Sequence, residues 1–333
     1  MPDPLLILIF FVAAAVSLAT AWVLVSRLER IGARVGLSEA LLGLVAALAA
    51  DAPEITAAVT AMAQQRARTG VGVVIGSNVF NLAALLGLGA VVAGRIGLHR
   101  RVILLEGAVA LPVAGATVAV ATGALGAPAG LAIVLAVLVP YAVILALRGR
   151  SLRGLRLPRS WEGWLTTAVV EEEIELEGSL DTRPSRSRDA VVALLAVLIV
   201  VGASVAMEKS ASTFGARHSI PEIVIGALVL AGVTSLPNAV AAIYLAVRGR
   251  GAATLSTAMN SNALNVAIGL MIPGIVLGLG ATSDQTILVA AWYLGLTALA
   301  LLAAYLAHGL RRWQGAVIIA AYLLFAVILV TTT

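Results

Sequence analysis

The chain has 333 residues, of which 61% are hydrophobic and 12% charged. With a mean hydropathy of +1.04 it is too apolar to be wetted as a soluble domain, so the class is integral membrane protein. The lack of cysteine excludes disulfides, thiol nucleophiles and thiolate metal sites. The net charge of +5 fits arginine-rich loops on the cytoplasmic side better than a nucleic-acid surface.

The N-terminus, MPDPLLILIFFVAAA, has no basic leader, and its apolar run is too long for a signal peptide, so it is the first predicted span. A span needs about 20 mostly apolar residues. In chain order the predicted spans are 5–26, 38–65, 70–94, 102–122, 126–147, 190–208, 219–247, 252–279, 285–307 and 313–331. Helices are expected because each satisfies its own backbone in lipid, and no period-2 alternation points to a barrel. All of the 22 Lys and Arg fall in loops after odd-numbered spans except Arg66, Arg68, Lys209 and Arg217. That bias predicts both termini outside and the loop 148–189 in the cytoplasm, in an inner or plasma membrane. The loop divides the chain into five spans (1–147) and five more (190–333). Within it, Trp161, Trp164, Leu165, Ala168 and Val169 have helical spacing and predict a short amphipathic helix on the membrane. The acidic EEEIELE (171–177) that follows fits a solvated helix face, with a regulatory Ca²⁺ site as the alternative.

Span 2 contains DAPEITAA (51–58), and span 7 contains SLPNAVAA (235–242). Moving 53–86 by 184 residues onto 237–270 aligns them without a gap. Pro53, Arg66, Ser77, Asn78 and Asn81 then meet Pro237, Arg250, Ser261, Asn262 and Asn265. The copies begin five spans apart, and an odd number inverts them in the membrane. Inverted repeats are typical of secondary transporters, whose sites lie where the repeats meet. Helix pairs made similar by small packing residues are the plainer alternative, but packing does not call for Asp51 and Glu54.

A carboxylate at the bilayer centre costs about 2.5–3.5 kcal/mol on insertion scales, so two need a cation, a proton or polar partners. Asp51 and Glu54 are i and i+3 and are expected to share a helix face. Ser77 with Asn81, Ser235 with Asn238 and Ser261 with Asn265 complete a set made of oxygen ligands. Pro53 and Pro237 are expected to free the carbonyls of Ala49 and Val233. An all-oxygen dianionic site suits a hard cation, whereas transition metals favour His or Cys. His99, His218 and His308 fall in or near loops. Glu39 and Glu106 are expected to be helix-end or satisfied polar acids, with a proton relay or pathway role as the alternative. Glu222 is expected to be a solvated helix-end acid.

DAPEI followed by IGSNVFNLAALLGL, and GVTSLPN followed by NSNALNVAIGL, resemble the two α-repeats of the Ca²⁺/cation antiporter superfamily, nearest the Na⁺/Ca²⁺ exchangers. The resemblance covers about 36–95 and 218–280. It implies an all-α fold of ten transmembrane helices in a 5+5 inverted repeat, in which spans 1 and 6 slide across spans 2, 3, 7 and 8. It places ion ligands at Asp51, Glu54, Ser77, Asn81, Thr234, Ser235, Asn238, Ser261 and Asn265, with backbone carbonyls near Ala47 and Ala231. The sequence departs from the pattern in the second repeat, where Asn238 and Asn265 stand at acid positions. Ala50 and Asp51 replace Thr-Ser in the first, so both charges sit on one helix and are expected to share a proton when no cation is bound. The implied function is antiport of Ca²⁺ against Na⁺ or H⁺, with membrane lipid as surroundings, no cofactor and no nucleic-acid partner. Monovalent Na⁺/H⁺ exchange, an intramembrane enzyme and a non-transporting relative are the alternatives. The chain lacks HExxH, GxGD and a Ser paired with a His at membrane depth.

Overall fold

The computed structural model describes residues 1–146, 164–165, 169–170, 174–175 and 187–332. Among these, eight helices are long and apolar enough to cross a membrane, and two further helix pairs are bent at a break. Each bent pair taken as one span gives ten. Span 1 is Asp3–Arg34, span 3 Ala67–Ala93, span 4 Arg100–Ala121 and span 5 Ala127–Ala146. Span 6 is Ser187–Arg217, span 8 Gly251–Leu277, span 9 Asp284–Ala307 and span 10 Arg312–Thr331. Span 2 joins Glu39–Ala50 to Ala52–Ala63 at a 45° bend, and span 7 joins Glu222–Thr234 to Leu236–Val247 at 49°.

Both bends have the same local cause. Pro53 and Pro237 lack an N–H and sit in the first turn of each second half, where that loss is tolerated. Asp51 and Ser235 occupy the breaks themselves. The turn at each break takes up the carbonyls of Ala49 and Val233, so these two are not free as the prolines alone suggest.

Spans 1 and 6 run well past the predicted 5–26 and 190–208. At 32 and 31 residues and about 1.5 Å per residue, each is far longer than the roughly 30 Å hydrocarbon core. Arg27, Arg30, Lys209 and Arg217, predicted as loop residues, are therefore helical. The two helices are fastened to each other along their length. Arg27 pairs with Asp189 at 2.8 Å, Ser17 with Ser204 at 2.9 Å, and Arg217 with Asp3 at 2.9 Å.

The interior is built around spans 3 and 8. Span 3 crosses the first half of span 7 at very short range. A Cβ on Gly76 would lie 2.4 Å from Ala227 Cα, and one on Gly226 would lie 2.2 Å from Thr69 O. Small residues at such crossings let backbones approach in membranes. Spans 4 and 9 pack on each other, with span 5 on span 4 and span 10 on span 3. A two-stranded antiparallel ribbon, Arg95–Gly97 with Gly309–Arg311, ties the ends of spans 3 and 9 together. It is a small departure from the expected all-helical chain.

Leu165 and Val169 are buried in the apolar core, with Trp164 packed against it. These three apolar side chains therefore pack on protein. In the acidic stretch, Glu175 accepts the Ala253 N–H at 3.0 Å, in the first turn of span 8. It acts as a helix cap rather than as a solvated face. Trp161, Ala168, residues 171–173 and residues 176–177 lie outside the described residues.

The repeats are not packed alike. Span 6 lies along Ala52–Ala63, leaving Thr56 and Thr60 partly buried. The matching face of span 7 stays open: Val240 is 56% and Tyr244 50% exposed.

Candidate ion-binding site

The two breaks bring the repeats face to face. Asp51 and Glu54 are fully buried, as are Ser77, Asn81, Thr234, Ser235, Asn238, Ser261 and Asn265. The acids do not form one continuous helix face. Asp51 sits at the break and Glu54 in the first turn after it, so each meets a different part of the second repeat.

Asp51 Oδ1 accepts from Asn238 Nδ2 at 2.6 Å and from Ser261 Oγ at 2.7 Å. Glu54 Oε1 accepts from the Ser235 hydroxyl, and its Oε2 accepts from Asn265 Nδ2. Asn81 Nδ2 donates to Ser261 Oγ at 3.1 Å, and Asn238 Nδ2 to the same oxygen at 3.2 Å. The carboxylates of one repeat are thus held by the amides and hydroxyls of the other. No Arg, Lys or His is bonded to either acid among the described residues. Hydrogen bonds to a charged group contribute about 1.5–3 kcal/mol each, which offsets part of the burial cost.

Three oxygens in this cluster remain unmatched. Asp51 Oδ2, Asn81 Oδ1 and Asn265 Oδ1 are buried without a hydrogen-bond partner. Two come from the first repeat and one from the second. All are carboxylate or amide oxygens, the donor type a hard cation takes.

The other expected ligands are placed less directly. The Ser77 hydroxyl donates to Val74 O at 2.9 Å while standing beside Glu54. Thr234 turns its hydroxyl onto Leu230 O, also at 2.9 Å. The Ala47 and Ala231 carbonyls accept the N–H groups of Asp51 and Ser235 at 2.9 and 3.1 Å, and each retains a second lone pair. Wide π-type turns at Leu82–Leu88 and Asn265–Met271 adjoin the site in both repeats. Turns of this kind are frequent at functional sites, and nothing in the sequence pattern marks them.

The profile of the family described as sodium/calcium exchanger protein matches residues 5–153 and 189–331. The chain belongs to the sodium/calcium exchanger protein family. It is accordingly a multi-pass integral membrane protein. This exchanger-family chain is 28% identical over 131 residues to the sodium/calcium exchanger MaX1 of Methanosarcina acetivorans. The matched stretch is 39% of this chain and only 37% of that relative's length. Two solved structures share the fold over nearly the whole chain. The sodium-calcium exchanger NCX_Mj aligns with a TM-score of 0.62 at 19% identity, covering 97% of this chain and 98% of that one. The H⁺/Ca²⁺ exchanger CAX aligns with a TM-score of 0.72 at 12% identity, covering 98% and 86%. The chain thus has the exchanger fold with its repeated halves, and among the described residues eight helices, or ten with each bent pair counted as one span, can cross a membrane.

Two residues of this buried cluster escaped the predicted ligand set. Asn78 Nδ2 donates to Asn262 O at 3.0 Å, and Asn262 Nδ2 donates back to Asn78 O at 3.2 Å. Their identity across the repeat is the signal that could have found them. Tyr293 of span 9 stands behind Asn78 and lies outside any repeat match. Of the other acids, Glu222 is an exposed helix-end residue, as expected. Glu106 lies deep inside span 4 and is bonded to Tyr141, so it does not belong to a helix end.

Proposed function

We propose that this chain is a secondary-active antiporter exchanging Ca²⁺ for Na⁺ or H⁺ by alternating access. Asp51, Glu54, Asn81, Asn238, Ser261 and Asn265 form the centre of its ion site, with Ser77, Thr234, Ser235 and the Ala47 and Ala231 carbonyls around it. One observation carries this reading: Asp51 Oδ2, Asn81 Oδ1 and Asn265 Oδ1 are buried beside two carboxylates with no donor to satisfy them. Each unsatisfied buried oxygen costs about 1–3 kcal/mol. A divalent cation bound in this cluster would neutralise both acids and supply the partner that such oxygens lack.

The arginine bias supports an orientation with both termini outside, loop 148–189 cytoplasmic, and halves 1–147 and 190–333 inverted in an inner or plasma membrane. The long pair of spans 1 and 6, fastened to each other and packed unequally on spans 2 and 7, is suited to shift between the two repeats. No resident cofactor enters this reading.

The test is flux into vesicles holding the purified protein. Ca²⁺ uptake is expected under an outward Na⁺ gradient, an outward H⁺ gradient, or both. No Ca²⁺ movement under either gradient overturns the proposal. A second reading, Na⁺/H⁺ or other monovalent exchange, is favoured by Asn238 and Asn265, which supply ligand oxygens but no charge. It predicts Na⁺ uptake driven by an H⁺ gradient that Ca²⁺ does not inhibit.

A further inference from the structure

Glu106 is a buried acid that the ion site does not use. It lies in span 4 and is 1% exposed. The Tyr141 hydroxyl of span 5 donates to its Oε1 at 2.8 Å. Ser256 of span 8 is a second hydroxyl beside the carboxyl. The other oxygen, Oε2, is buried without a hydrogen-bond partner.

The three spans packed on span 4 bring no positive charge to it. Span 5 contributes Tyr141 as its one titratable group, and span 8 has none. Span 9 carries Asp284, Tyr293 and Tyr305. Asp284 is in the first turn of that span, Tyr293 is beside Asn78, and Tyr305 is stacked under Arg100. Next to Gly107, span 9 presents Leu301. A buried carboxylate with no cationic partner among the described residues demands either a cation or a proton. One carboxyl and two hydroxyls fall far short of the about 6–8 oxygens that Ca²⁺ collects. A single proton neutralises the group completely.

Span 8 links this acid to the ion site. Asn260 donates to Ser256 Oγ at 2.9 Å, and the next residue, Ser261, donates to Asp51. Ser256 and Ser261 are separated by about 7.5 Å of helix rise. Asn260 and Ser261 leave the helix on different faces, so one span touches both acids without a continuous row of side chains between them.

We propose that Glu106 is a separate proton-binding site, holding H⁺ on its carboxyl and exchanging it during the transport cycle while Asp51 and Glu54 hold the metal cation. The step forms and breaks one O–H bond, with water as the proton's source and sink. The coupling role rests on the antiporter reading, whereas proton occupancy does not, so the two are measured separately. Infrared spectra of the purified protein in H₂O and D₂O are expected to show a protonated-carboxyl band at neutral pH. It disappears in Glu106→Gln, persists in Glu106→Asp and shifts in Tyr141→Phe. No band removed by Glu106→Gln overturns the site, whatever the flux shows. In vesicles, Glu106→Gln is expected to lower the ratio of H⁺-driven to Na⁺-driven uptake by about 100-fold, the lower end for a lost proton-transfer group. An unchanged ratio overturns the coupling role. Absence of all Ca²⁺ flux in the unaltered protein refutes the antiporter reading, and with it the coupling role, while the infrared band still decides occupancy.

Discussion

At the scale of single residues, the two repeats have divided their labour. The first supplies both charges, and the second supplies the neutral groups that hold them. The Asp51 and Glu54 carboxylates each lean on amide and hydroxyl donors from across the interface. A unit charge about 4 Å from a cation contributes about 4 kcal/mol at an effective dielectric near 20, equivalent to about 1,000-fold in affinity. Asp51→Asn and Glu54→Gln are each expected to weaken cation binding by at least about 100-fold after desolvation is discounted. Calorimetric titration of the purified protein checks this. Binding by Asp51→Asn equal to wild type removes Asp51 from the ligand set. Most of this site could be read directly from the sequence, because Pro53, Ser77 and Asn81 recur 184 residues on. What the repeat could not reveal is contact between elements that do not repeat. Nothing near Glu106 in sequence announces Tyr141 or Ser256, and Tyr293 has no counterpart to align.

At the scale of elements, bends and close crossings set where the proposed ligands stand. The prolines of spans 2 and 7 predict irregular helices, yet the exact break at Asp51 depends on the turn that absorbs the Ala49 carbonyl. Helix ends were harder to read than helix existence. Spans 1 and 6 continue through charged residues because Arg27 and Arg217 find partners on the facing helix, which a count of apolar residues cannot see. The crossing of spans 3 and 7 gives a sharp expectation. In Gly76→Ala the new methyl meets the Ala227 backbone at 2.4 Å, and a backbone cannot rotate aside. Overpacking of this kind costs about 1–3 kcal/mol, and a lowered Tm in detergent checks it. A Tm equal to that of the unaltered protein means the crossing is looser than the geometry implies.

At the scale of the whole molecule, polar contacts join the fastened pair of spans 1 and 6 to the core. One is the ion pair of Arg66 with Glu208, at 3.3 Å. Glu208 is fully buried on span 6 and also accepts from Ser212 at 2.7 Å. Arg66 sits just after span 2. This contact favours the arrangement in which span 6 covers span 2 and the face carrying Val240 and Tyr244 lies open. Breaking it with Glu208→Gln removes about 1–3 kcal/mol, less than a wholly buried pair because Arg66 is partly exposed. A population ratio then shifts by tenfold for each roughly 1.4 kcal/mol. The chain has no cysteine of its own, so spin labels can be placed at Val23→Cys and Val240→Cys without background. Glu208→Gln is expected to move the distance distribution towards shorter separations, as span 1 approaches span 7. An unmoved distribution shows that the ion pair does not set the balance.

The reciprocal bond between Asn78 and Asn262 has a further consequence. Each amide donates to the other's backbone carbonyl, so exchanging the two repeats leaves the arrangement unaltered. On the antiporter reading, an interaction that maps onto itself when the repeats are exchanged is expected to contribute equally whichever side of the membrane the protein faces. It strengthens both end states without tilting the choice between them, much as the pivot of a balance bears load but no preference. Arg66–Glu208 has no such symmetry and lies to one side. On the antiporter reading, the central asparagines are expected to bear load in both states and the peripheral ion pair to set the resting direction.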